Sequence, residues 1–165
     1  ANAQIGVYVE YNATHIPALS FTQTAAAWYQ GLAGGAYADL LHAGPIALGL
    51  DVVGGYANGQ GHNYRDLLIG PRLAVKPPLL PIRPYIQVAV GVGGVQSNGI
   101  PAPSTYYSNK FQYGFIGGVD YTLVPHLDLR LAEISYLRRT AVTSGGSAPA
   151  LNLVTIGAGL VLRLP

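Results

Sequence analysis

The sequence predicts an all-β protein: a closed antiparallel up-and-down β-barrel of eight strands, of the transmembrane type, formed as one domain over residues 1–165. Three observations carry this. Charged residues are 10% of the chain while half of it is apolar, against roughly a quarter charged in average soluble domains. A membrane helix needs ~20 unbroken apolar residues, and 22 glycines and 12 prolines leave no such window. Apolar residues instead alternate at period two over segment after segment. A soluble globule needs more charge to cover its surface, and a disordered chain needs fewer apolar residues.

The strands follow in order. Ile5, Val7, Val9 and Tyr11 oppose Gly6, Tyr8 and Glu10. Residues 22–42 are the least regular; Ala25–Trp28 has helix propensity, but Gly34-Gly35 opposes a helix, and a strand is expected at about 28–40. Ile46, Leu48, Leu50 and Val52 oppose Ala47, Gly49, Asp51 and Val53. Leu67, Ile69, Pro71, Leu73 and Val75 oppose Asp66, Leu68, Gly70, Arg72 and Ala74. Ile86, Val88, Val90 and Val92 oppose Gln87, Ala89, Gly91 and Gly93. Phe111, Tyr113, Phe115, Val119 and Tyr121 oppose Gln112, Gly114, Gly118 and Asp120. Leu127, Leu129 and Leu131 oppose Asp128 and Arg130, and a bulge near Ala132–Glu133 returns Ile134 and Tyr136 to the apolar face. Val154, Ile156, Ala158, Leu160, Leu162 and Leu164 oppose Thr155, Gly157, Gly159 and Arg163.

The connections alternate in kind. Compact turns are expected at 41–45, 77–84 and 124–126, and longer or softer loops at 13–27, 58–63, 96–109 and 140–150. Outer-membrane barrels have short turns at one end and longer loops at the other. The charges point to the same class. No Asp, Glu, Lys or Arg falls in mid-strand on the aliphatic face, where Arg or Lys would cost roughly 2–4 kcal/mol at the bilayer midplane. The opposite face is expected to line a polar lumen with Glu10, Asp51, Arg72, Asp120, Asp128, Arg130, Glu133 and Arg163 as network members. Hairpin counting sets Asp120 opposite Arg130, Asp51 opposite Arg72 and Asp128 opposite Arg163. A soluble lipocalin-like barrel would turn the aliphatic face inward, leaving an outer face of Gly, Ala and Gln with too little charge. Aromatics gather near strand ends, with Tyr11, Trp28, Tyr29, Tyr56, Tyr64, Tyr106, Tyr107, Phe111 and Tyr136 on the loop side and Tyr37, Tyr85 and Tyr121 on the turn side. Interfacial girdles are the expected role.

With Gly114–Tyr121 followed by Pro125–Arg130, the chain resembles the small bacterial outer-membrane β-barrel family, the eight-stranded outer-membrane-protein-A-like transmembrane domain. The resemblance covers nearly the whole chain and rests on pattern and topology. It implies a bacterial outer-membrane location at the cell surface. The missing Met at position 1 and the small residues Ala1-Asn2-Ala3 fit a cleaved signal peptide.

No chemistry stands out. His15, His42, His62 and His126 fall in loops or turns without metal-ligand spacing, and cysteine is absent. No spacing supports His15 with Ser20, or His62 with Asp66, as a lipid-modifying pair. Gln96 stands where a dinucleotide fingerprint begun by Gly91 and Gly93 needs its third glycine. No cofactor, metal or catalytic residue is expected, and a net charge of +2 gives no case for nucleic acid. The expected role is structural or interactive. Residues 12–30, 96–109 and 140–152 carry no Asp, Glu, Lys or Arg. They hold Ile16, Leu19, Phe21, Trp28, Ile100, Tyr106 and Tyr107 as a candidate interaction surface. The partners are membrane lipid or neighbouring copies around the barrel, as a homo-oligomer in the membrane or, as a lesser alternative, an extracellular assembly. A narrow passive pore for small solutes or ions is the other reading.

Overall fold

A computed structural model of the chain describes residues 4–17, 26–59, 62–98, 105–140 and 151–164. Eight antiparallel strands follow one another around a closed barrel: β1 (Gln4–Ile16), β2 (Ala27–Ala43), β3 (Ile46–Gly59), β4 (His62–Val75), β5 (Ile82–Asn98), β6 (Thr105–Val124), β7 (Leu127–Arg139) and β8 (Leu151–Leu164). β1 pairs with β8, from Ile5 opposite Leu164 to His15 opposite Val154, so no sheet edge is left open.

The alternation sets the two faces. Leu48, Leu50, Ile69, Val88, Val90, Phe115 and Ile156 stand 40–57% exposed on the outer wall, and Leu129 is half-exposed there. The residues between them turn inward. Several of those are glycines and alanines, because eight strands enclose a lumen only wide enough for side chains. The weak segment 22–42 contributes a long strand, β2, rather than a helix. Period-two packing between β1 and β3 outweighs its alanine propensity.

Bulges keep the alternation in step. Leu131 has no partner on β6, where Val119 pairs with Ala132 and Asp120 with Arg130. Leu131 and Ala132 therefore face outward in succession, and Glu133 returns inward. This is one residue before the position expected from the pattern. Leu40 is passed over in the same way between Asp39 and Leu41 on β2.

The two ends differ. At the turn end, Gly44-Pro45 joins β2 to β3 with Gly44 at φ 60°, and Pro125-His126 joins β6 to β7 with His126 at φ 75°. Residues 76–81 join β4 to β5 there. At the other end lie the last residues of β1, β3, β5 and β7 and the first of β2, β4, β6 and β8. The segment expected as a soft loop at 58–63 is a tight connection, since Asn58 pairs with Asn63 and Gly59 with His62. Strand pairing also takes in Ala13–Ile16 and Gln96–Asn98, which the pattern alone assigns to loops.

Candidate functional site

The polar interior is built on parity. Each inward strand position adds one side chain to a lumen that the backbone hydrogen bonds already close. Charge buried there needs a partner. The centre is two arginines with one tyrosine between them. Arg72 from β4 lies 3.8 Å from the Tyr37 ring and 4.5 Å from the Tyr85 ring. Arg130 from β7 lies 4.1 Å from the Tyr8 ring and 4.8 Å from that same Tyr85. The guanidinium groups thus stack across the barrel on phenol faces.

Carboxylates tie the stack together. Asp120 bridges both arginines, at 3.5 Å from Arg72 and 2.9 Å from Arg130. Arg130 also meets Glu133 at 2.7 Å and Glu10 at 3.5 Å. Tyr85 donates its hydroxyl proton to Glu133. Arg72 meets Asp39 at 3.2 Å and Asp51 at 3.9 Å, and Asp51 accepts a hydrogen bond of 2.8 Å from Tyr8. Arg72, Arg130, Asp39, Asp51 and Asp120 are each 2% exposed or less. Towards the turn end, Lys76 meets Asp39 at 2.9 Å, and Asp128 takes Arg163 at 2.9 Å and Arg83 at 3.8 Å.

Glycines opposite the tyrosines make room for this layer. Tyr8 pairs with Gly35, Tyr37 with Gly6 and Tyr85 with Gly118. A Cβ on Gly6 would stand 2.6 Å from the Tyr37 hydroxyl, and one on Gly118 would stand 2.5 Å from the Tyr85 hydroxyl. Each ring lies along the wall over a backbone without a side chain.

Above the stack, on the loop side, the lumen holds a cavity of about 30 Å³ bordered by Glu10, Asn12, Thr14, Asp66, Ser135 and Thr155. Val53, Leu68, Ile116 and Leu137 also line it, and a space of that size takes a water or two on the polar groups. Thr14 and Thr155, paired on neighbouring strands β1 and β8, hydrogen-bond each other on its wall at 2.8 Å.

All eight residues expected in the network point inward: Glu10, Asp51, Arg72, Asp120, Asp128, Arg130, Glu133 and Arg163 are each 8% exposed or less. Asp120 pairs directly with Arg130. Two expected registers need correction. Asp51 pairs with Gly70 and Asp128 with Val161, so Arg72 and Arg163 reach their carboxylates diagonally. The β3–β4 pairing, with Asn58 opposite Asn63 and Gly59 opposite His62, centres one residue earlier than Asp51 opposite Arg72 requires, and the β7 bulge shifts its pairing with β8.

Other expectations are corrected too. Tyr29, Tyr37, Tyr64 and Tyr85 are 2–6% exposed and line the interior, not an interfacial girdle. Arg139, at the loop-side end of β7, also faces inward and is 7% exposed. Of the expected loop surface, Ile16 ends β1 facing inward and is 3% exposed. Trp28 lies on the outer wall of β2, edge-on to His15 at 5.1 Å. The backbones of Tyr106 and Tyr107 pair with Ser97 and Gln96 in the sheet. Leu19, Phe21 and Ile100 lie outside the described residues.

Tyr8, Tyr37, Tyr85, Asp39 and Lys76 belong to the network as well, beyond the eight expected members. Tyr37 and Asp39 have the same parity on β2, as do Tyr85 and Gln87 on β5, and that parity was the available signal. Among the described residues no three His, Cys, Asp or Glu side chains could together hold a metal ion.

A closed eight-stranded wall of exposed aliphatic side chains around a buried ionic core defines a transmembrane barrel of the outer-membrane type. No family model and no curated protein sequence matches the chain. Solved structures do. Neisserial surface protein A superposes with a TM-score of 0.70 at 14% identity, covering 99% of this chain and 100% of its own. Ail, the attachment invasion locus protein of Yersinia pestis, in complex with the heparin analogue sucrose octasulfate, gives 0.63 at 10% identity with the same coverage. A major outer membrane protein from Thermus thermophilus gives 0.59 at 16% identity, again over 99% and 100% of the two chains. At these identities the likeness is one of fold: the chain is an eight-stranded outer-membrane-type β-barrel.

Proposed function

We propose that the chain is a structural and interaction barrel of the bacterial outer membrane, closed through its lumen and non-enzymatic, which meets its partners through its extracellular loops. The observation that carries this is the Arg72–Tyr85–Arg130 stack, held by Asp39, Asp51, Asp120, Glu10 and Glu133. It crosses the lumen in the turn-side half of the barrel, so a solute path would have to break several buried ion pairs together. What is left for contact is the loop end, whose segments 12–30, 96–109 and 140–152 lack charge. Apolar residues without charge on a water-facing end mark an interaction site. The partner of this surface is a second copy of the chain. The test is conductance of the purified barrel in planar bilayers. No discrete channel steps are expected. Reproducible open-channel steps from the unmodified chain would overturn the closed reading in favour of a narrow pore.

A further inference from the structure

Among the described residues, the turn end presents a largely apolar outer surface, with His42 and His126 as its exposed polar side chains beside the β2–β3 and β6–β7 turns. Leu79 is 92% exposed, and Leu40, Leu41, Leu80, Leu123 and Val124 are 49–65% exposed. Among the described residues, the Asp, Lys and Arg side chains of this end are turned inward and paired. Lys76, Arg83 and Arg163 side chains are 22%, 19% and 9% exposed, and Asp39 and Asp128 are at most 1%. The loop end differs. Gln30, Asn58, Arg65, Asn109, Arg138 and Asn152 interrupt its outer face with exposed polar groups. The apolar wall therefore has a polar border at one end and runs past the last strand residues at the other.

The chain's own chemistry at this end is that of a desolvated segment. Water-exposed turns favour Gly, Asn, Asp and Ser. Residues 77–81 read Pro-Pro-Leu-Leu-Pro. Three of these five residues have no N–H to strip of water. The Pro81 carbonyl accepts a hydrogen bond of 2.7 Å from Thr122, and the Lys76 N–H donates one of 2.6 Å to Pro45.

We propose that the 77–81 turn and the leucines beside it are sunk in lipid, at the boundary of acyl chains and headgroups of the leaflet on the turn side, the periplasmic one. Continuity with the lipid-facing wall is the ground for lipid as the occupant. From Val75 through Leu79 and Leu80 to Ile82, no charged side chain other than inward-drawn Lys76 interrupts the apolar surface. The barrel would then sit low, with its turn end in the membrane and its polar border at the loop-side interface.

The chain has no cysteine, so Leu79→Cys gives a single site for a nitroxide label. Labelled barrel in phospholipid vesicles is read by relaxation with oxygen, which concentrates in lipid, and with a nickel chelate, which stays in water. Ile69→Cys on the mid-wall and Asn58→Cys on the loop end set the lipid and water references. The ratio at Leu79 is expected on the Ile69 side of the midpoint between them. A ratio on the Asn58 side would overturn the proposal and leave the turn open to a periplasmic protein. Leu80→Cys gives the same reading if Leu79→Cys does not fold, with heat-shifted gel migration as the folding check.

Discussion

Removing Arg130 should destabilise the barrel more than removing any outward-facing arginine. The guanidinium group makes contacts of 2.9 Å to Asp120, 2.7 Å to Glu133 and 3.5 Å to Glu10, and stacks on Tyr8 and Tyr85. In Arg130→Leu three carboxylates lose it together. Asp120 keeps Arg72 at 3.5 Å, while no other ion pair holds Glu10 or Glu133 among the described residues. Breaking a buried ion pair by deleting one partner costs about 3–5 kcal/mol. The lost stacking places Arg130→Leu at or above that range. Arg138 is next along the same strand but faces outward, and Arg138→Leu should change stability by about 0.5 kcal/mol or less. Urea unfolding in phospholipid vesicles, followed by the gel shift on heating, measures both. Adding Glu133→Gln to Arg130→Leu should restore part of the loss, because it removes one orphaned charge. Equal stability of the two single variants, within about 1 kcal/mol, would refute the reasoning.

The glycines can be tested as neighbours. Gly118→Ala puts a methyl group 2.5 Å from the Tyr85 hydroxyl and 2.8 Å from the Ala132 carbonyl, whereas Gly117→Ala meets nothing nearer than 3.6 Å. Unfolding in vesicles should show a loss of about 1–3 kcal/mol for the first and little change for the second. The loop surface is tested by native mass spectrometry in mild detergent. The unmodified chain should carry dimers or larger species, which Phe21→Ser with Ile100→Ser should reduce; a strictly monomeric unmodified chain would count against self-association.

The barrel was legible because a wall whose outer side no protein covers writes its solvent into every second residue. Leu48, Leu50, Val88 and Val90 have no competing explanation as exposed residues except lipid. The charge network was legible by the same parity, down to the pairing of Asp120 with Arg130 across a two-residue turn. Its fine register was less so. Asp51 with Arg72 depended on where a hairpin centres, and Asp128 with Arg163 on a bulge whose place shifts by one residue with no change in pattern. Arginine tolerates such errors, since its side chain spans the diagonal of a sheet as readily as the direct pair. Tyrosine does not declare its side by chemistry. Its ring accepts lipid and its hydroxyl accepts a lumen, so position near a strand end was a poor guide to Tyr37 and Tyr85.

What places those tyrosines is the residue across the strand pair. These three rings lie along the inner wall over opposing residues without a side chain: Gly35, Gly6 and Gly118 stand opposite Tyr8, Tyr37 and Tyr85. Once flat, each ring supports a guanidinium group that would otherwise have to cross the lumen unsupported. Each guanidinium then collects carboxylates from strands on other sides of the barrel: Arg72 those of β2, β3 and β6, and Arg130 those of β1 and β6 as well as its own β7. The dependence runs from glycine to ring to arginine to carboxylate. A methyl group at Gly118 therefore acts beyond its own contact. Tyr85 touches both arginines and Glu133, so tilting this one ring loosens both halves of the network together. In an eight-stranded barrel, closure of the lumen is thus a property of the glycine pattern as much as of the charges.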